Sequence, residues 1–188
     1  MEKKINYKIN EIFYSIQGEG YNTGVASVFI RFSGCNLSCD FCDTWHIDYT
    51  EMDKEEIFAA ISVYPCKNIL LTGGEPTYQT ELAKLVKFFK DNGYRIAMET
   101  NGTGKVPEEI DWVTVSPKTK DYLKNGNELK LIYTGQNDDE LSSFLKTDFQ
   151  HYFLQPRSME NIAETIEAVK RNPVWKLSVQ VHKLIGIK

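Results

Sequence analysis

Strands that alternate with amphipathic helices predict an α/β fold with a mostly parallel sheet for this chain of 188 residues. Two further observations narrow it. Polar and glycine-rich motifs recur where strands end, at Thr72-Gly73-Gly74-Glu75-Pro76, Glu99-Thr100-Asn101-Gly102, Ser116-Pro117-Lys118 and Gln155-Pro156-Arg157. In parallel α/β folds, sites gather at the carboxyl ends of the strands. About six or seven strands are readable, too few for a closed eight-unit barrel. The expected architecture is a partial, open β/α barrel of the TIM kind, a single domain over residues 1–188.

Val25 to Phe32 reads as a buried strand running into a cysteine loop. Asp53 caps a helix carrying Ile57, Phe58, Ile61 and Tyr64 on one face; Glu56 is placed for a capping box, and Pro65 stops the helix. Asn68 to Leu71 is a short strand. Thr80 opens the next helix, with Leu82, Leu85, Val86 and Phe89 facing inward and Asn92-Gly93 closing it. Strands follow at Tyr94 to Met98, Trp112 to Val115 and Glu128 to Tyr133, then a helix from about Asn137. Tyr152 to Leu154 is a strand, Ser158 caps the last long helix (Ile162, Ala163, Ile166, Val169), and Leu177 to Val181 is a final strand. No internal repeat or low-complexity tract interrupts the pattern.

The bulk composition restricts the function classes. Hydrophobic residues at 41% and charged residues at 26% are ordinary for a soluble globular protein. A net charge of −4 and a pI near 5.5 argue against a coat for nucleic acid or an anionic membrane. No apolar run approaches the ~20 residues of a membrane span. The start, Met-Glu-Lys-Lys-Ile-Asn-Tyr-Lys, has no apolar stretch behind its lysines, so the expected compartment is the cytoplasm. In that reducing setting clustered cysteines are ligands or catalysts before they are disulfides.

Cys35, Cys39 and Cys42 form a C-x3-C-x2-C motif. Three thiolates at that spacing can hold three corners of an iron–sulfur cube and leave the fourth iron open for chemistry. A zinc site is the alternative on spacing alone, with His46 as a fourth ligand. Cys66, beyond a helix and after Pro65, reads as a small buried hydrophobe. The two glycines at Gly73-Gly74 let a ligand approach the backbone at a strand end.

The triad with Phe41 before its last member resembles the radical S-adenosylmethionine superfamily, and Gly73-Gly74-Glu75-Pro76 resembles that superfamily's methionine-binding segment. The resemblance implies a 4Fe-4S cluster whose open iron chelates the methionine part of S-adenosylmethionine. One electron then yields a 5′-deoxyadenosyl radical, while the protein orients its cofactors and excludes water.

Nearly the whole chain resembles the 7-carboxy-7-deazaguanine synthase family. The matching segments are Glu11 to Gly20, Arg31 to Leu37, Cys42-Asp43-Thr44, Glu99 to Gly102, Asp111-Trp112 with Ser116 to Lys118, Gly126 to Lys130, Gln155-Pro156 and Gln180 to Lys183. The family converts 6-carboxy-5,6,7,8-tetrahydropterin to 7-carboxy-7-deazaguanine with loss of ammonia, a ring contraction on the route to queuosine and other deazapurines.

Residue by residue, the resemblance assigns Ile16, Gln17, Gly18, Glu19, Arg31 and Thr72 to the pterin; His182, after a strand, is expected to reach the same substrate, with a core or surface histidine as the alternative, and the terminal carboxylate of Lys188 is expected to face the pocket. Arg31 suits the substrate carboxylate because its planar fork binds one bidentately; a salt bridge is the alternative. Phe41, Cys42, Asp43, Gly74, Ser116, Pro117, Lys118 and Gln155 are assigned to S-adenosylmethionine, with Pro156, Arg157 and Ser158 completing that wall. Thr44 is assigned to a Mg²⁺ that also binds substrate, in keeping with the ion's preference for oxygen ligands. The family also implies a homodimer and an external electron donor such as a flavodoxin. Two other classes fit the triad: a glycyl-radical-enzyme activase, which acts on a protein, and a zinc-binding interaction module.

Overall fold

The computed structural model describes residues 4–42 and 44–188. Its elements run β1 (Tyr7–Ile16), β2 (Ala26–Phe32), β3 (Thr50–Met52), α1 (Lys54–Ser62), β4 (Asn68–Gly73), α2 (Leu82–Asp91), β5 (Arg95–Thr100), β6 (Trp112–Val115), β7 (Asn125–Tyr133), α3 (Asp138–Phe144), β8 (Asp148–Pro156), α4 (Ile162–Arg171), β9 (Lys176–Leu177) and α5 (Val181–Ile185). The strands form one open sheet in the order β3-β1-β2-β4-β5-β6-β7-β8-β9. From β2 to β9 every pairing is parallel, while β1 runs antiparallel to both β2 and β3. The carboxyl ends of seven consecutive strands therefore share one rim.

The period-two pleat sorts each strand into a helix side and an interior side. Val28, Ile30 and Phe32 on β2, Ile69 and Leu71 on β4, and Ile96 and Met98 on β5 pack with Ile57 and Ile61 of α1 and Leu85, Val86 and Phe89 of α2. A second cluster joins Val115, Leu129, Leu131, Tyr133 and Leu154 to Leu141 of α3, Ala168 of α4 and Trp175. The alternate residues, Arg31, Thr72, Glu99, Lys130 and Gln155, are left for the concave side. At α1 the capping box forms as expected: Glu56 N donates to Asp53 Oδ1 at 2.8 Å and Asp53 N donates to Glu56 Oε2 at 2.8 Å.

Several expectations are corrected. The described residues hold nine strands, because Tyr7–Ile16 and Thr50–Met52 extend the sheet at its antiparallel edge. Thr80 does not cap α2; Glu81 precedes the helix with φ +58 and makes no side-chain cap. Ser158 does not cap α4 either. It lies at φ +45 in the tight turn Arg157–Met159, and Asn161 fixes that turn by accepting from Arg157 N at 2.8 Å while donating to Tyr133 O at 2.9 Å. The buried face of α4 is Thr165 and Ala168, with Ile166 exposed. The expected last strand shortens to Lys176–Leu177, and residues 181–185 turn into a helix that carries His182. Cys66 is buried, 8% exposed, as read from its surroundings. Among the described residues, no helix is long and apolar enough to cross a membrane.

Candidate active site

The strand rim surrounds a cavity of about 560 Å³. That size is typical of small-molecule sites. It opens between the cysteine loop, the ends of β4, β5, β7 and β8, the hairpin between β1 and β2, and α5.

At one wall stand Cys35, Cys39 and Cys42, all free thiols, the first two half-buried and the third exposed. Gly73 and Gly74 line the same wall, and the structure gives them a reason beyond ligand access. A Cβ on Gly74 would overlap the carbonyl oxygen of Gly34, and one on Gly73, at φ +122, would overlap Phe32 backbone. The two loops meet backbone to backbone, with Gly74 N donating to Phe32 O at 3.0 Å and Glu75 N to Gly34 O at 2.9 Å. Glu75, 1% exposed, locks the next loop to this one. It accepts from Thr77 N at 3.1 Å, Thr77 Oγ1 at 2.6 Å, Thr100 Oγ1 at 2.6 Å and Asn101 N at 2.7 Å. A buried carboxylate with four donors is fully satisfied and serves as a structural tie.

Phe41 meets two cations, its ring centre 5.9 Å from both Lys118 Nζ and Arg157 Cζ. Lys118 donates to Ser116 O at 3.1 Å and Ser116 Oγ at 2.5 Å. Burial lowers its pKa to about 8, and the charge on Lys130 acts in the same direction. Burial drives the Cys39 thiol up while Lys118 pulls it back. Among the described residues no three His, Cys, Asp or Glu side chains converge on one ion position. On donor chemistry, three thiols backed by a lysine and a glycine-lined strand end fit the cluster and its sulfonium cofactor.

The facing wall carries Arg31 and a charge cluster. Arg31 Nε donates to Glu11 Oε1 at 2.8 Å, and Glu11 also pairs with Lys188 Nζ. Among the described residues the two Arg31 Nη groups make no hydrogen bond, so its fork remains available for a carboxylate. Ser15 Oγ donates to the main-chain oxygen of Lys188 at 2.6 Å, which holds that residue against β1. Deeper in, Lys130 is 3% exposed and bridges Glu19 and Glu99, the latter at 2.9 Å. Gln17 Nε2 donates to Glu99 Oε1 at 2.8 Å, and Gln180 Nε2 donates to Glu19 Oε1 at 2.8 Å. Burial opposes the charge on Glu19, but the Lys130 ammonium outweighs it and holds that carboxyl down at about 2. His182 packs on Gly18, where a Cβ would overlap its ring, and Val181 N donates to Gly18 O at 2.9 Å.

One layer below, Glu128 faces the same interior from β7, two residues before Lys130. Tyr21 N donates to its Oε2 at 3.1 Å, whereas Glu128 Oε1 and Trp112 Nε1, both buried, make no close hydrogen bond among the described residues, although the indole N–H still favours the carboxylate charge. Burial raises the Glu128 pKa to about 7. A carboxyl whose folded pKa is raised binds more protons folded than unfolded, so its contribution to stability falls as pH rises from about 4.5 through about 7. Glu19 has the opposite sign: its contribution is present above about 4.5 and lost as pH falls toward 2. The expected result is a melting temperature that declines between pH 5 and pH 8, with a shallower decline in Glu128→Gln, measured by calorimetry at fixed ionic strength. An equal slope in both proteins would exclude Glu128 as the group.

Of the residues assigned from sequence, Ile16, Gln17, Gly18, Glu19, Arg31, Cys35, Cys39, Phe41, Cys42, Thr44, Thr72, Gly74, Ser116, Lys118, Gln155, Arg157, Ser158, His182 and Lys188 all line this cavity. Pro117 and Pro156 are buried beside it and do not line it. Asp43 lies outside the described residues. Glu99, Lys130 and Gln180 had no assigned role. A lysine inside the apolar run Leu129-Lys130-Leu131-Ile132-Tyr133 was the available signal, since a buried charge demands a partner.

Residues 29–119 match the Radical SAM superfamily. A relative named 7-carboxy-7-deazaguanine synthase, from Bacteroides thetaiotaomicron, is 50% identical over 183 residues, spanning 96% of this chain and 98% of that protein. The chain belongs to the 7-carboxy-7-deazaguanine synthase family. A synthase of the same name from Haemophilus influenzae is 37% identical over 204 residues, spanning 97% of this chain and 95% of that one. The crystal structure of QueE from Escherichia coli superposes with a TM-score of 0.79 at 30% identity, covering 94% of this chain and 95% of that one. The expected open, partial β/α barrel is borne out by this likeness and by the nine-stranded sheet. Superfamily membership makes the protein a radical S-adenosylmethionine enzyme and implies an iron–sulfur cluster and S-adenosylmethionine.

Proposed function

We propose that this protein converts 6-carboxy-5,6,7,8-tetrahydropterin to 7-carboxy-7-deazaguanine with release of ammonia, as the route to queuosine and other 7-deazapurines requires. The observation that carries the reading is convergence. One cavity joins three thiols and a glycine strand end to an arginine whose Nη groups make no hydrogen bond among the described residues, and to a paired-carboxylate cluster. When bound, the cluster on Cys35, Cys39 and Cys42 and S-adenosylmethionine supply a one-electron cleavage and a carbon-centred radical.

The chain's own residues bind and orient. Phe41, Gly74, Ser116, Lys118, Gln155, Arg157 and Ser158 hold the sulfonium cofactor, Lys118 and Arg157 complementing its carboxylate. Arg31 takes the substrate carboxylate, with Glu11 fixing the guanidinium plane through Nε. The Gln17 to Glu19 turn, Thr72 and His182 bound the heterocycle, and Lys188 closes the cavity over β1. Thr44 would supply a hydroxyl ligand to a Mg²⁺, and the ion would supply charge stabilisation at the substrate carboxylate. A cytoplasmic homodimer of single-domain chains, reduced by an external donor such as a flavodoxin, completes the proposal.

A cavity of this size suits a small heterocycle, whereas a glycyl-radical activase must admit a polypeptide segment. A zinc module needs neither Arg31 nor the carboxylate cluster. The test supplies anaerobically reconstituted, reduced protein with S-adenosylmethionine, Mg²⁺ and the carboxytetrahydropterin. Formation of 7-carboxy-7-deazaguanine with ammonia is expected; an intact, reducible cluster that yields neither product would sink the assignment.

A further inference from the structure

Gln180 is 4% exposed, lines the cavity and stands at the start of α5 without using its side chain as a cap. Its amide nitrogen donates to Glu19 Oε1 at 2.8 Å, while its oxygen Oε1 is buried with no hydrogen-bond partner among the described residues. The orientation is imposed. Glu19 is ionised by Lys130 and offers only acceptors, so the amide must present NH₂ to it and leave its own oxygen unpaired. A buried carbonyl without a donor is costly unless a ligand supplies one. The neighbours are acceptors as well: Glu19 takes donors from Lys130 and Gln180 and Glu99 from Lys130 and Gln17, which leaves none of them for the Gln180 oxygen. This end of the cavity is therefore short of N–H donors.

We propose that Gln180 is a specificity-determining residue whose free amide oxygen, alongside Glu19 and Glu99, accepts the N–H groups of the substrate's 2-amino-pyrimidinone edge. The assignment rests on the pterin reading and deepens it. In a pterin the 6-carboxylate and the 2-amino group lie at opposite ends of the bicycle. A ligand anchored by Arg31 through its carboxylate thus turns its donor-rich edge away from Arg31. A 2-oxo ring offers an acceptor where this end needs a donor, leaving two acceptors opposed and the amide oxygen unpaired. Lys130 acts through the carboxylates as a positioning residue.

Equilibrium dialysis of the cluster-loaded protein against 6-carboxypterin and its 2-oxo counterpart, 6-carboxylumazine, tests this. The parent protein is expected to favour the 2-amino compound by at least about 10-fold, the scale set by one unpaired hydrogen-bonding group. Gln180→Met should close most of that gap, chiefly by weakening the pterin. Equal binding of both compounds by the parent protein overturns the inference and leaves the pterin reading standing. A preference that survives Gln180→Met also overturns it, since Gln180 would then serve packing alone. Failure of the parent protein to bind either compound removes the pterin reading and this inference together.

Discussion

Lys130→Met is expected to lower the melting temperature by roughly 10 °C, from a loss of about 3–5 kcal/mol. The ammonium is 3% exposed and faces Glu19 and Glu99, whose side chains are 13% and 21% exposed. Methionine fills the volume but leaves two carboxylates in one desolvated pocket, which is the expensive half of breaking a buried pair. The loss should depend on pH. In the parent protein Glu19 is held at about 2, and its contribution is complete above the ordinary carboxylate range. Without Lys130, burial, the largest influence on Glu19, is opposed only by the Gln180 hydrogen bond and the nearby His182, so its pKa rises above the unfolded value and stability falls as pH rises through that raised pKa. Calorimetry of both proteins between pH 4 and pH 8 checks this. The gap should widen with pH, and a gap that is constant or narrows would show that Lys130 contributes through packing alone.

Replacing Cys35, Cys39 or Cys42 with Ala should have the reverse profile, with activity lost and folding spared. Turnover is expected to drop by more than about 100-fold, beyond what removal of a group behind a metal ligand costs. Iron content and the brown colour of the reconstituted protein should fall with it. The melting temperature of the metal-free protein should move by less than about 2 °C, because these thiols are half-buried or exposed and pack little. Cys66→Ala supplies the contrast. Cys66 is buried under β2, its Sγ 3.2 Å from Ala26 O, and should lose stability while keeping its iron. Iron analysis, visible absorption and calorimetry on the four variants decide the matter. A triad variant that retains a full cluster would remove that cysteine from the ligand set.

Much of the site was legible because its chemistry is local in sequence. Cys35 to Cys42, Gly73-Gly74 and Ser116 to Lys118 are short motifs, and each sits on one strand end or the loop after it. The capping box at Asp53 and Glu56 was readable for the same reason. What escaped depends on distant partners. Ser158 looks like a helix cap in sequence, but Asn161 bonds both Arg157 and Tyr133 and pulls the turn into positive φ, so α4 starts later. The final segment alternates like a strand. Val181 instead bonds to Gly18 in the first hairpin, and the chain winds into α5 over the cavity.

Two results separate the levels. The sequence by itself determined the fold class, the faces of α1 and α2 against the sheet and the thiol triad, since periodicity and spacing act through neighbours along the chain. Only the tertiary structure decided that Gly74 serves contact with Gly34 as well as access for a ligand, and that Lys130 sits between Glu19 and Glu99. It also decided that Gln180 meets Glu19 from 161 residues away. Burial and charge compensation are properties of what surrounds a group. For these residues the surroundings come from strands and turns far apart in the chain, brought to one rim by the parallel sheet.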